Sequence, residues 1–116
     1  MSDITIWHNP RCGKSRDAFN LLVEKGIEAN VVKYLNETPS REELKEVLVK
    51  LGMQPRELMR TKEKVYKELN LANETSDEAL IDAMIANPKL IERPIVIKGN
   101  KAVIGRPIEN IINLIG

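Results

Sequence analysis

The residue with the clearest capacity for chemistry is the single cysteine, Cys12. It follows an Asn9-Pro10 pair and precedes Gly13, so it lies in a polar turn between a strand-like and a helix-like segment. At the start of a helix, amide N–H groups and the helix dipole favour the thiolate, the nucleophilic form of a thiol. Most free cysteines are buried as small apolar side chains, but this polar, basic turn favours a nucleophile. Because there is no second cysteine, any disulfide must form with another molecule.

Three neighbours of this cysteine can act on its sulfur or shape its loop. His8 can lower the pKa of the thiol, or make a single hydrogen bond within the loop. Asn9 is favoured as a turn residue that organises the backbone. Ser15 occupies the place of the second cysteine in a CxxC motif, and we expect its hydroxyl to cap the helix, with a hydrogen bond to the sulfur as the alternative.

Three arginines distant in sequence, Arg60, Arg93 and Arg106, are candidate anion ligands. Most arginines are solvated surface groups, but two of these have unusual contexts. Arg93 directly precedes Pro94, and Arg106 lies at the end of a predicted hairpin, one glycine beyond its second strand. A tetrahedral oxyanion bound beside a thiolate requires several fixed guanidinium groups, because their forked donors match its oxygens and offset the charge repulsion.

The composition is that of an ordinary globular protein. The chain has 116 residues, 42% of them hydrophobic and 30% charged, with a net charge of +1. We therefore expect one domain over residues 1–116, with no nucleic-acid or membrane partner. There is no Cys/His cluster to hold a metal and no leader-like N-terminus. A lone reduced cysteine fits the cytoplasm, where we expect the protein to be.

Hydrophobic periodicity predicts the order strand, helix, strand, several helices, hairpin and helix. Capping-box patterns at Ser40/Glu43 and Thr75/Glu78 predict two of the helix starts. The predicted segments are a strand at 4–7, a helix ending at Gly26, a strand at 31–35, a helix ending at Gly52, short turns near 57–60 and 66–69, a helix before Pro88, hairpin strands at 95–97 and 102–104, and a last helix beginning at Pro107 with Ile108, Ile111, Ile112 and Ile115 on one face.

This order of elements resembles the thioredoxin-like fold. An opening βαβ unit followed by ββα predicts an α/β fold with a four-stranded mixed sheet. A helical insertion, at about residues 37–90, would then lie between strand 2 and the C-terminal hairpin. In such folds the proline before the first hairpin strand usually has a cis peptide bond, and Pro94 occupies that position.

The motifs, taken together, resemble the glutaredoxin-dependent arsenate reductase family, in its short housekeeping branch, with Spx-type proteins as further relatives. The resemblance covers essentially the whole chain and is carried by residues 8–16, 57–60, 66–69 and 93–96 and by the Gly105-Arg106-Pro107 run. It implies that Cys12 is the nucleophile, that His8 helps to lower its pKa, and that the three arginines hold arsenate.

The resemblance also implies a detoxification reaction that needs partners. The cysteine would form an adduct with arsenate, which glutathione and then glutaredoxin would resolve to release arsenite, with no bound cofactor. Asn9, Gly13, Ser15 and Pro94 would support the site. Two other functions stay open: a general glutathione-linked thiol oxidoreductase, and an Spx-like protein that binds the transcription machinery. Ser15 weakens the last, because redox-switching members of that group use a CxxC pair.

Overall fold

The computed structural model describes residues 3–116 of the chain. The chain forms two compact units: the first contains the chain up to Glu37 and again from Arg93 to Gly116, and the second is Thr38–Glu92. The second unit contains most of the stretch predicted as a helical insertion. That the two units make up one domain stays a prediction. Among the described residues, no helix has both the length and the apolar character needed to cross a membrane.

A four-stranded mixed sheet organises the first unit, in the order β2-β1-β3-β4. β1 pairs in parallel with β2 and antiparallel with β3, and β3 and β4 form an antiparallel hairpin. This arrangement confirms the predicted α/β thioredoxin-like fold, with the inserted helices between strand 2 and the hairpin. The elements of this unit are β1 (Ile4–Trp7), α1 (Gly13–Glu24), β2 (Asn30–Val32), β3 (Ile95–Lys98), β4 (Lys101–Ile104) and α6 (Glu109–Ile115).

The core of the first unit joins one face of the sheet to α1 and α6. Alternate residues of a strand such as β1 point to the same face of the sheet, and residues four apart lie on the same face of a helix. Burial of this cluster is what holds the two helices against the sheet. Its fully or almost fully buried members are Ile4, Ile6, Ala18, Leu22, Val96 and Ile111.

Two elements of the first unit differ from the sequence prediction. The predicted second strand extends to Leu35, but β2 ends at Val32 and the chain turns, with the Asn36 amide bonded to the Lys33 carbonyl at 2.9 Å. Tyr34 is nevertheless buried, because its ring stacks on that of Trp7. The aromatic residue that favoured a longer strand is therefore buried in a turn instead.

The last helix also begins later than predicted. α6 starts at Glu109, and Pro107 lies before it after a cis peptide bond with Arg106. Ile111 is fully buried, whereas Ile112 is exposed, so the predicted apolar face was wrong by that residue. The Arg93-Pro94 peptide bond is cis, as is usual at this position in the fold that the chain resembles.

The second unit is helical. Its elements are α2 (Arg41–Leu51), α3 (Pro55–Leu58), α4 (Lys64–Glu68), α5 (Asp77–Ala86) and the 3₁₀ turns Leu71–Asn73 and Pro88–Leu90. α5 packs against both α2 and α3. The Ser40/Glu43 capping box is confirmed, whereas α5 is capped by Ser76 instead of Thr75, because it is the Ser76 hydroxyl that accepts the Ala79 amide proton.

Candidate active site

The Cys12 loop is built as a tight turn at the end of β1. The His8 amide continues the strand pairing by donating to the Val32 carbonyl at 2.8 Å. The Asn9 side-chain oxygen then accepts the Arg11 amide at 3.1 Å, and its carbonyl accepts the Cys12 amide at 3.0 Å. Asn9 thus organises the turn in the way expected of a turn residue. As a result, Cys12 occupies the N-cap position of α1.

Ser15 has a different position from the one expected. It is fully buried inside the first turn of α1 and does not cap the helix, because the N-cap position belongs to Cys12. Its Oγ accepts the Asn9 amide at 2.9 Å and lies 2.6 Å from Nδ1 of His8. The Ser15 hydroxyl therefore links the loop backbone to the His8 imidazole through two hydrogen bonds.

His8 is an uncharged group in this arrangement. Burial, and then the positive charges of Lys33 and Arg16, lower the pKa of His8 below its ordinary 6.5. The imidazole is hydrogen-bonded through Nδ1 to the Ser15 hydroxyl and stacks on the ring of Phe19. The geometry gives His8 a positioning role through Ser15, because an uncharged ring at neutral pH adds no positive charge beside the thiol.

The thiol of Cys12 is half-buried and acidic. Burial raises the pKa of this thiol, but the Ser15 amide, the Arg93 guanidinium and the Lys14 amide together outweigh that effect, so the pKa lies below the ordinary 9.0. The sulfur makes no capping hydrogen bond of ordinary geometry; its stabilisation comes from the nearby amide dipoles and from Arg93. Gly13 lies at the start of α1, where an added Cβ would meet only the Arg16 guanidinium at 3.8 Å.

Two of the predicted arginines meet at this sulfur. Arg93 donates a side-chain hydrogen bond to the Cys12 sulfur and also acts on it through its charge. Arg106 approaches the same sulfur from a position 94 residues away in sequence, with 3.5 Å between Nη2 and Sγ. Its Nε donates to the Arg93 carbonyl at 2.8 Å, so the two arginines are held together. A thiolate flanked by two guanidinium groups is an arrangement suited to binding an oxyanion beside a nucleophile.

Gly105 makes this approach possible, although its sequence context alone does not establish that role. Its amide donates to the Pro94 carbonyl at 2.9 Å, next to the arginine pair. A Cβ at this position would lie 2.7 Å from Cδ1 of Ile111 and 2.9 Å from Cγ of Pro94. Only a glycine fits there without displacing its neighbours. Its place directly before Arg106 was the available signal, but the close approach depends on residues distant in sequence.

Arg60 belongs to the second unit. Its backbone amide donates to the Leu90 carbonyl at 2.7 Å, and its Nη1 pairs with Oε1 of Glu92 at 2.9 Å. A bridge between Met59 and Ile91 holds the two segments side by side. Arg60 is therefore fixed within its own unit, and its approach to the sulfur stays a prediction. Among residues 3–116, no three His, Cys, Asp or Glu side chains form a group that could hold a metal.

The sequence profile of the ArsC family matches residues 7–114, which include the cysteine loop and all three arginines. The chain belongs to the ArsC family. This ArsC member is 54% identical to the uncharacterized protein YfgD of Escherichia coli K12 over 97% of both chains.

Two further relatives are named as arsenate reductases. The ArsC member is 52% identical to an arsenate reductase of Neisseria meningitidis serogroup A, covering 96% of this chain and 97% of the relative. It also superimposes on the solved structure of an arsenate reductase from Vibrio cholerae with a TM-score of 0.92, at 49% identity and 95% coverage of both chains.

Proposed function

We propose that this protein is an oxidoreductase that reduces arsenate to arsenite. The observation that carries the proposal is the convergence of Arg93 and Arg106 on the acidic thiol of Cys12. A thiolate alone repels an oxyanion, and paired guanidinium groups remove that repulsion while orienting the oxygens. The names of the Neisseria and Vibrio relatives support arsenate as the oxyanion. Arg60 would supply a third guanidinium.

The first step is nucleophilic substitution at arsenic. The Cys12 thiolate attacks, a sulfur–arsenic bond forms, and a hydroxyl leaves as water after taking one proton from solvent. Arsenic stays pentavalent in this adduct. The guanidinium groups of Arg93 and Arg106 stabilise the negative oxygens that carry additional charge as the bond forms.

The reducing equivalents come from outside the protein in this proposal, because Cys12 is its only thiol. Glutathione is the co-substrate: its sulfur bonds to the arsenic of the adduct, and a second oxygen leaves as water. A glutaredoxin thiolate then attacks the glutathione sulfur, forming a mixed disulfide. The electron pair of the broken sulfur–arsenic bond stays on arsenic, which becomes trivalent. Water then releases arsenite and restores the Cys12 thiol.

This reaction requires a reduced cysteine and no resident cofactor. We therefore place the protein in the cytoplasm, where thiols are kept reduced. Arsenate, glutathione and glutaredoxin are its proposed partners.

The decisive experiment is arsenate-dependent NADPH oxidation in a system with glutathione, glutaredoxin and glutathione reductase. Turnover is expected with the natural chain and none with Cys12→Ser. Arg93→Ala and Arg106→Ala should each lower kcat/KM for arsenate by about 100-fold, the scale for removing one preorganised charged donor. Lys25→Ala, at the far end of α1, is the matched control and should behave like the natural chain.

The same variants separate arsenate reduction from the other functions. A general thiol oxidoreductase would reduce mixed disulfides with little dependence on Arg93 or Arg106. If arsenate gives no turnover while a small mixed disulfide is reduced at the same rate by both arginine variants, the proposal is wrong.

A further inference from the structure

A cavity of about 350 Å³ opens in the first unit, and Arg106, which also approaches the reactive sulfur, is one of its lining residues. Lys14 and Asp17 of α1 form one side, and the segment 105–109 forms the other. Arg106 borders both the cavity and Cys12, since its Nη2 is 3.5 Å from the sulfur. The volume is within the range of sites that bind small organic molecules.

The lining of this cavity carries both signs of charge. Lys14 and Arg106 are cationic, whereas Asp17 and Glu109 are acidic. Lys14, Asp17 and Glu109 are exposed, and no ion pair joins any of them to another residue within 3–116. These three charged groups are therefore available to a ligand.

This charge pattern selects one class of ligand. A second oxyanion would be repelled by Asp17 and Glu109, and a simple cation by Lys14 and Arg106. A zwitterion that carries carboxylates and an ammonium group satisfies both sets. Pro107 and Ile108 add apolar surface against which methylene groups can pack.

We infer that this cavity binds a zwitterionic thiol peptide of the glutathione type, with a carboxylate at Lys14, its ammonium group at Asp17, and its thiol directed toward Cys12. The inference rests on the proposed function, in which glutathione attacks the arsenic bound to that sulfur. Because Arg106 borders both the cavity and the sulfur, a peptide bound here can direct its thiol toward the adduct. Binding in this orientation removes the entropic cost of bringing the two reactants together.

The test measures glutathione binding separately from turnover. Reduced glutathione is titrated by NMR into the Cys12→Ser protein, which cannot form an adduct, and S-methylglutathione is titrated as a probe whose thiol is blocked. Lys14→Gln and Asp17→Asn should each raise the Kd of both probes about three- to fivefold, the effect of losing one solvent-exposed ion pair. Glu24→Gln, two turns further along α1 and outside the cavity, is the matched control.

Turnover provides the second readout. With Cys12 restored, Lys14→Gln and Asp17→Asn should raise the KM for glutathione by a similar factor relative to Glu24→Gln. Equal Kd and KM values in all three variants would overturn the cavity assignment while leaving the proposed function intact. An effect on the KM for glutaredoxin alone would also overturn it, since the cavity would then contact a protein. Binding that depends on Asp17, in a protein without arsenate turnover, would support the cavity and refute the proposed function.

Discussion

Replacement of Arg93 by glutamine tests the electrostatic basis of the site. Arg93 is the side chain that most lowers the pKa of the Cys12 thiol, through a hydrogen bond and through its charge. A hydrogen bond to a charged group contributes about 1.5–3 kcal/mol. Since Cys12 is half-buried, solvent screening reduces this to about 1–1.5 kcal/mol. The ratio of thiolate to thiol should therefore fall about five- to tenfold.

The rate of alkylation by iodoacetamide reports this ratio directly, because only the thiolate reacts. At a pH below the folded-state pKa of Cys12 in both proteins, where each is mostly thiol, Arg93→Gln should react about five- to tenfold more slowly than the natural chain. Well above it, where both proteins are thiolate, the rates should converge. Arg93→Lys keeps the charge but loses the forked donor, so it should lie between the two.

The controls separate an electrostatic effect from a folding defect. Lys25→Gln removes a positive charge at the other end of α1 and should leave the profile unchanged. Near-ultraviolet circular dichroism should show the same aromatic packing in every variant. If Arg93→Gln and the natural chain react at one rate over the whole pH range, Arg93 does not stabilise the thiolate and the account of this site is refuted.

Three further predictions concern the folding of the site. Gly105→Ala should lower the free energy of unfolding in urea by about 1–3 kcal/mol, because the added methyl overlaps two close neighbours; unaltered stability would show that the approach is looser than described. Ser15→Ala removes the partner of the buried Asn9 amide and of His8, so it should cost about 1–3 kcal/mol in the same measurement, whereas a loss below the error of the urea curves would contradict that role. Folding lowers the pKa of Cys12, so ionisation of this thiol stabilises the folded protein. That stabilisation is complete above the unfolded pKa and is lost as the pH falls through the folded pKa. The difference in unfolding free energy between the natural chain and Cys12→Ser should therefore grow as the pH rises toward 9.0, and a constant difference would refute the shift.

The secondary structure was predictable where its signals are local. The Ser40/Glu43 capping box and the left-handed Gly52 define α2 within a short stretch of chain, and the Gly99 turn defines the hairpin. The errors occurred where distant residues decide the outcome. Tyr34 looked like part of a strand because it is aromatic, but its ring is buried against Trp7 from a turn.

In the candidate site, too, the features set by nearby residues were predictable and those set by distant residues were not. The place of Cys12 at a helix start follows from the loop sequence, since turn residues and helix periodicity are read over a few positions. The three arginines could be identified as candidate anion ligands from the sequence, but their arrangement around the sulfur could not. The close approach at Gly105 depends on residues distant in sequence, the Ser15–His8 pair left no local signature, and the neutrality of His8 follows from burial and from Lys33 and Arg16.

The sequence by itself therefore determined the order of the elements and the position of one nucleophile at the start of α1. Both depend on interactions between near neighbours in the chain. Only the tertiary structure brought Arg106 within 3.5 Å of a sulfur 94 residues away and joined it to the Arg93 carbonyl. That convergence depends on how β3, β4 and the glycine after them pack, and packing is a property of residues that are far apart in sequence.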